Sequence, residues 1–211
     1  IPIGEWVLHE ACRVRRAWQD GLKNDFRMAV NLSPSQLRRP EFFTRLQAVL
    51  AKTGLAPQLL EVELTESAFM QHAGEEAKPL NLLRQLGMGP AVVVGGSGGY
   101  SSLSYLKHFP VTKLKIDRSF IRDLATDPND AAIVRAILAL AQSMKIPVCA
   151  EGVEAAGQVE FLLEHRCEYA QGFFFAEPMD ADSCLMLLAG TASGSVAVRL
   201  RPSQSSGQSH R

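Results

Sequence analysis

Short apolar or alternating runs along the chain are followed, almost to its end, by segments whose apolar residues fall at helical spacing. Glu5 to Gly21 has a helical stripe of Trp6, Val7, Ala11, Val14 and Trp18 that stops at glycine. Met28–Asn31 reads as a short strand, and Ser33-Pro34 opens the next helix, because proline suits a first turn. Pro40 to Lys52 is helical up to Gly54, and Leu60 to Leu64 alternates as a strand. Ala77 to Leu86 is helical and Ala91 to Val94 is an apolar strand. A helix near Ser102 to His108 precedes the strand Lys113 to Ile116. Asp127 caps a helix from Pro128 to Met144, with proline at its first position. Pro147 to Ala150 is a strand, Ala156 to His165 a helix, Ala170 to Phe175 a final strand, and Ala181 to Leu188 a last helix.

These are about six strand-then-helix units, a pattern that implies a parallel sheet with right-handed crossovers. The polar residues choose between an open sheet and a barrel. Asn31, Glu63 with Glu66, Lys115, Glu151 with Glu154, and Gln171 each stand at or just after a strand end. A chemically capable group at the carboxyl end of nearly every strand is the arrangement of a barrel's active face, whereas an open sheet concentrates such groups at one switch point. Residues 191–211, rich in Ser, Gly, Arg and Gln, read as a disordered tail after a domain spanning 1–190.

Charge narrows the partners. Twenty-two basic and 22 acidic residues cancel, so no broad field draws the protein to duplex nucleic acid. No apolar run approaches the roughly 18 residues of a membrane span. The longest candidate, Ala131 to Met144, is broken by Arg135 and Gln142. Cys12, Cys149, Cys167 and Cys184 form no metal-knuckle spacing and read as reduced thiols of a cytoplasmic protein. The opening Ile1-Pro2-Ile3-Gly4 lacks a basic leader and suggests a fragment whose start lies upstream.

Seven motifs stand in order between residues 6 and about 178. They are Trp6-Val7-Leu8 with Ala11-Cys12; Val30-Asn31-Leu32-Ser33; Glu63-Leu64-Thr65-Glu66-Ser67; Gly99-Tyr100-Ser101-Ser102-Leu103-Ser104-Tyr105-Leu106; Lys113-Leu114-Lys115-Ile116-Asp117; Ala150-Glu151-Gly152-Val153-Glu154; and Gln171-Gly172-Phe173. In this order they resemble the EAL-domain phosphodiesterases, which cut cyclic di-GMP to a linear dinucleotide. The resemblance implies an α/β fold, the EAL-type (β/α)8 TIM-like barrel, here incomplete. It also implies roles: Asn31 and Glu63 as metal ligands, Glu151 on metal and water, and Lys115 orienting the attacking water near the phosphate. Glu66 would hold the loop after the third strand, and Glu154 and Gln171 would line the ligand end.

Two departures accompany the resemblance. The Glu-Ala-Leu signature is absent, and with it a metal-binding glutamate, an arginine at the ligand and about two strands. The family's Asp-Asp-Phe-Gly-Thr-Gly run reads Val94-Gly95-Gly96-Ser97-Gly98-Gly99, so Val94 and Gly95 replace both metal-binding aspartates. The glycine run lacks the spacing of a phosphate loop and reads as a flexible replacement for a lost metal loop. None of the five histidines reads as a base or ligand. Two retained carboxylates are a poor cage for paired Mg²⁺ or Mn²⁺ ions, so metal binding is expected to be weak or lost. The reading is an impaired domain that binds cyclic di-GMP. The alternatives are an active Mg²⁺-dependent phosphodiesterase and a nucleotide-free scaffold dimerising through Tyr100 to Leu106, with an upstream sensor or GGDEF-type domain as a further partner.

Overall fold

The computed structural model describes residues 2–19, 26–72, 78–95, 111–190 and 198–200. Helix α1 (Pro2–Trp18) leads to strand β1 (Met28–Asn31), the short α2 (Pro34–Leu37) and α3 (Phe42–Thr53). A single 3-10 turn (Pro57–Leu59) precedes β2 (Leu60–Thr65), α4 (Glu66–His72) and α5 (Lys78–Gln85). Then come β3 (Pro90–Val94), β4 (Lys113–Ile116), α6 (Arg118–Arg122) and α7 (Pro128–Met144). The chain continues with β5 (Val148–Ala150), α8 (Ala156–Glu164), β6 (Tyr169–Ala170), α9 (Ala181–Gly190) and β7 (Val198–Arg199).

The strands lie side by side in chain order, with β1 to β6 parallel and β7 antiparallel to β6. Six parallel strands with helices packed outside them form the half-barrel that the alternating pattern predicts.

Local chemistry explains the helix ends. The Ser33 side chain accepts from the Gln36 amide while Gln36 reaches back to the Ser33 amide, a reciprocal cap for α2. Asp127 accepts from the Asn129 amide at 2.7 Å, with Pro128 at the first position of α7. Gly54 ends α3 in the left-handed conformation, as the glycine stop predicts.

Strand alternation divides the sheet's two faces. Val30, Leu60, Val62, Leu64, Val92, Leu114, Ile116 and Val148 are buried in one core with Leu46, Leu50, Leu80, Leu83, Val134, Ile137, Leu138 and Leu162 of the helices. Each such leucine contributes about 2 kcal/mol through burial. The intervening positions, Asn31, Glu61, Glu63, Lys113 and Lys115, point to the other face, the barrel's interior. A second small cluster joins Trp18 to Leu188, so the first and last helices meet.

Several expectations are corrected. The buried side of α1 carries Leu8, Cys12, Arg15 and Trp18, while Trp6 is 66% exposed and Val7 is also on the surface. Arginine fits inside because its Nε donates to the Phe26 carbonyl at 3.0 Å and its guanidinium lies 4.0 Å from the Phe26 ring. The final strand ends at Ala170. Residues 171–175 form a turn instead, with the Phe174 amide bonded to the Val153 carbonyl and the Phe175 amide to Gly172. Within the stretch read as a tail, Val198 and Arg199 form β7. Helix α2 starts at Ser33-Pro34 as the sequence predicts, whereas α4 and α6 are too short to show periodicity and were not foreseen. The helix near Ser102 to His108, the Tyr100 to Leu106 segment and Gly96 to Gly99 lie outside the described residues.

Candidate functional site

The carboxyl ends of β2, β4 and β5 bring three charged side chains together. Lys115 Nζ lies 2.5 Å from Glu63 Oε1 and 2.5 Å from Glu151 Oε1. Lys115 is only 3% exposed and Glu63 7%, so each charge is held by its partners rather than by water. Strand geometry makes the meeting possible. Glu63 stands level with Ala91 and Lys115 with Val93, on the same interior face, and the small Ala91 leaves room for long side chains to cross β3. Glu151 follows β5 directly, its amide bonded to the Ile116 carbonyl.

The electrostatics follow from burial and neighbours. Burial alone would depress the Lys115 ammonium, but Glu151 and Glu63 outweigh it and hold its pKa above the ordinary lysine value. Burial pushes the Glu151 carboxyl upward, Lys115 opposes this, and Glu63 and Asp117 add to the rise. Asp117 was quoted only as part of a motif, without a role. It accepts from the Ser119 amide at 2.8 Å and caps α6, which aligns it beside Glu151. Its position directly after β4 was the available signal.

The other expected residues stand on or just after neighbouring strands of the same sheet. Asn31 is the Cα partner of Glu63 in the β1–β2 register and is exposed. Glu66 is buried, and its Oε2 accepts from the Gly95 amide at 3.4 Å. The turn after β5 interlocks with the turn after β6. The Val153 amide bonds to the Gln171 carbonyl, and the Gln171 amide to the Ala150 carbonyl. Gln171 is thereby fixed beside this turn and half-buried, and Glu154 projects into solvent. Gly172 has φ +155°, and a Cβ there would lie 2.2 Å from the Val153 carbonyl oxygen, so only glycine permits this interlock.

Val94 and Gly95 occupy the positions where the resemblance expects aspartates. Gly95 has φ +137°, and a Cβ there would meet Asp117 Cβ at 2.6 Å and Phe120 Cε2 at 2.9 Å. An aspartate at this position therefore needs a different loop path.

The donor set does not fit a pair of divalent cations as it is arranged. Glu63 and Glu151 both face the Lys115 ammonium, and the three groups sum to one negative charge (two carboxylates, one ammonium). Among the described residues no group of three or more His, Cys, Asp or Glu could hold a metal ion. The cysteines form no disulfide; Cys12, Cys149 and Cys167 are buried, and His165 stacks on Phe161 at 4.2 Å. No helix among the described residues is long and apolar enough to cross a membrane.

Comparison with known proteins agrees with this architecture. Residues 1–178 match the EAL domain family. MucR of Pseudomonas aeruginosa, a bifunctional diguanylate cyclase/cyclic di-GMP phosphodiesterase, is 43% identical over 189 residues, which is 90% of this chain and 27% of MucR. The chain spans about a quarter of the length of the curated relatives it matches, 27% of MucR and 22% of the Bacillus subtilis signaling protein YkoW. The solved PaMucR phosphodiesterase, in its cyclic di-GMP complex, superposes with a TM-score of 0.81 at 44% identity, covering 86% of this chain and 73% of that one. The Klebsiella pneumoniae BlrP1 complex with manganese and cyclic di-GMP gives a TM-score of 0.73 at 29% identity, covering 84% and 44%.

Proposed function

The chain belongs to the EAL domain family, and from that premise we propose that its barrel mouth binds cyclic di-GMP with little or no hydrolysis. One observation carries the reading: Lys115 sits between Glu63 and Glu151, so a side chain already offsets half of the negative charge of these two carboxylates. Hydrolysis by two metal ions needs ligands that offset the charge of both ions. With Val94 and Gly95 in the places of two aspartates, that offset falls short here. Mg²⁺ or Mn²⁺ held by Asn31, Glu63 and Glu151 is accordingly weak.

Binding keeps its own groups. Lys115 offsets part of the negative charge that a phosphate would meet at the mouth, while Glu154 and Gln171 stand beside it as ligand contacts. Glu66 shapes the loop after β3 through the Gly95 amide. The buried, unoxidised thiols support a cytoplasmic setting. The relatives' names favour a second reading, an active phosphodiesterase, and this is separable by experiment.

Calorimetric titration with cyclic di-GMP, with and without Mg²⁺, followed by chromatography of the products, tests the proposal. Binding in both conditions without linear dinucleotide is expected. Steady turnover with Mg²⁺ would overturn the impaired reading, and absence of any binding would leave the family fold serving a scaffold.

A further inference from the structure

Gln158 lies outside the group that faces the mouth, yet it is 7% exposed and every hydrogen-bonding position of its amide is used. Its Oε1 accepts from the Glu154 amide at 2.7 Å and from the Ala155 amide at 3.0 Å. Its Nε2 donates to the Ile121 carbonyl at 2.9 Å and to the Arg122 carbonyl at 3.3 Å. Two backbone N–H groups on one side and two carbonyls on the other fix the amide's orientation.

Half of this arrangement is helix capping. Ala155 precedes α8 and has no side-chain oxygen, so the glutamine three residues on satisfies the free amides at the helix start. The other half is not required by capping. Nε2 grips the last turn of α6, the helix that directly follows the strand bearing Lys115 and begins at Asp117. One side chain thus joins the turn carrying Glu151 and Glu154 to the element behind Lys115.

We propose that Gln158 is a positioning residue, a clamp that fixes the backbone of the turn bearing Glu154 beside the barrel mouth and thereby sets affinity for the dinucleotide. The proposal rests on the reading that this mouth binds cyclic di-GMP. Buried amides with all partners present resist rearrangement, since each abandoned partner is left unsatisfied.

Three variants test it: Gln158→Met, which keeps the length and removes all four bonds; Gln158→Glu, which keeps the acceptor half; and Glu154→Ala. Hydrogen exchange at the Glu154 and Ala155 amides is measured alongside calorimetric titration with cyclic di-GMP. Gln158→Met is expected to speed exchange at both amides and to weaken binding, each by about tenfold. Gln158→Glu should fall between it and the native chain, restoring protection of the two amides. If Gln158 acts through Glu154, adding Gln158→Met to Glu154→Ala will weaken binding by less than about twofold more, because coupled residues are not additive. Full additivity would reduce Gln158 to a general stabiliser and overturn the proposal. Unchanged exchange at the two amides in Gln158→Met would overturn the clamp itself. A native chain that does not bind the dinucleotide would sink the underlying reading of the mouth, and the affinity role with it; amide exchange separates that failure from failure of the clamp.

Discussion

Two layers of ion pairs cross the barrel's interior, one above the other on the same strands. The upper joins Lys115 to Glu63 and Glu151; the lower joins Lys113 to Glu61 at 2.8 Å, with Arg27 3.7 Å from the same glutamate. The upper layer carries two acids and one base and the lower one acid and two bases, so their charges are −1 and +1. Their wrappings also differ. Lys115 is almost fully enclosed, whereas the Lys113 side chain is 21% exposed and its ammonium lies 5.4 Å from the centre of the Tyr169 ring. Strand direction assigns them different work: groups at the carboxyl ends face a ligand, and groups at the amino ends brace the fold. Similar chemistry two residues apart therefore meets different surroundings, one pair enclosed at the carboxyl ends of the strands and the other partly open at their amino ends.

The largest effect that separates the layers is expected from Lys115→Met. It strips the buried Glu63 and the half-buried Glu151 of their cation and should lower stability by about 3–5 kcal/mol in chemical denaturation. A loss below about 1 kcal/mol, the usual value of an exposed pair, would show that water already reaches the upper layer. Lys113→Met should cost less, about 1 kcal/mol, because Arg27 still faces Glu61, and it should leave cyclic di-GMP affinity unchanged on titration.

A pH series sharpens the contrast. The folded Lys115 pKa is raised, so its contribution is complete below the ordinary lysine value of 10.5 and disappears as pH rises through the higher folded value. Denaturation midpoints should fall across that alkaline range in the native chain and fall less in Lys115→Met. The smallest effect concerns thiols. Cys149 is the Cα partner of Lys115, and burial pushes its pKa up to about 12 and that of Cys12 to about 11. A thiol reagent at pH 8 should label Cys184 first and reach Cys12, Cys149 and Cys167 only on unfolding. Rapid labelling of Cys149 would mean that the space between the layers opens.

Much of this was legible before any coordinates. The strands Met28–Asn31 and Lys113–Ile116 and the helix Pro128–Met144 follow directly from apolar runs and cap residues, because those signals are local. The carboxyl-end positions of Glu63, Lys115 and Glu151 were legible too. Their partnership was not. Alternation along β2 and β4 puts Glu61 with Glu63 and Lys113 with Lys115 on one face each, and only the curl of the sheet brings those faces together. The stripe on α1 misled because a buried position carries arginine, whose Nε donates to the Phe26 carbonyl and whose guanidinium lies over the Phe26 ring. Gln158 went unnoticed because all of its partners are backbone atoms, which no residue pattern displays.

The seat of Gly172 on the backbone of Val153 has a practical consequence for anyone reshaping this protein. The turns after β5 and β6 share hydrogen bonds and leave no room for a single methyl group between them. They are one mechanical part, so re-aiming Glu154 or Gln171 requires transplanting both turns together as a single cassette.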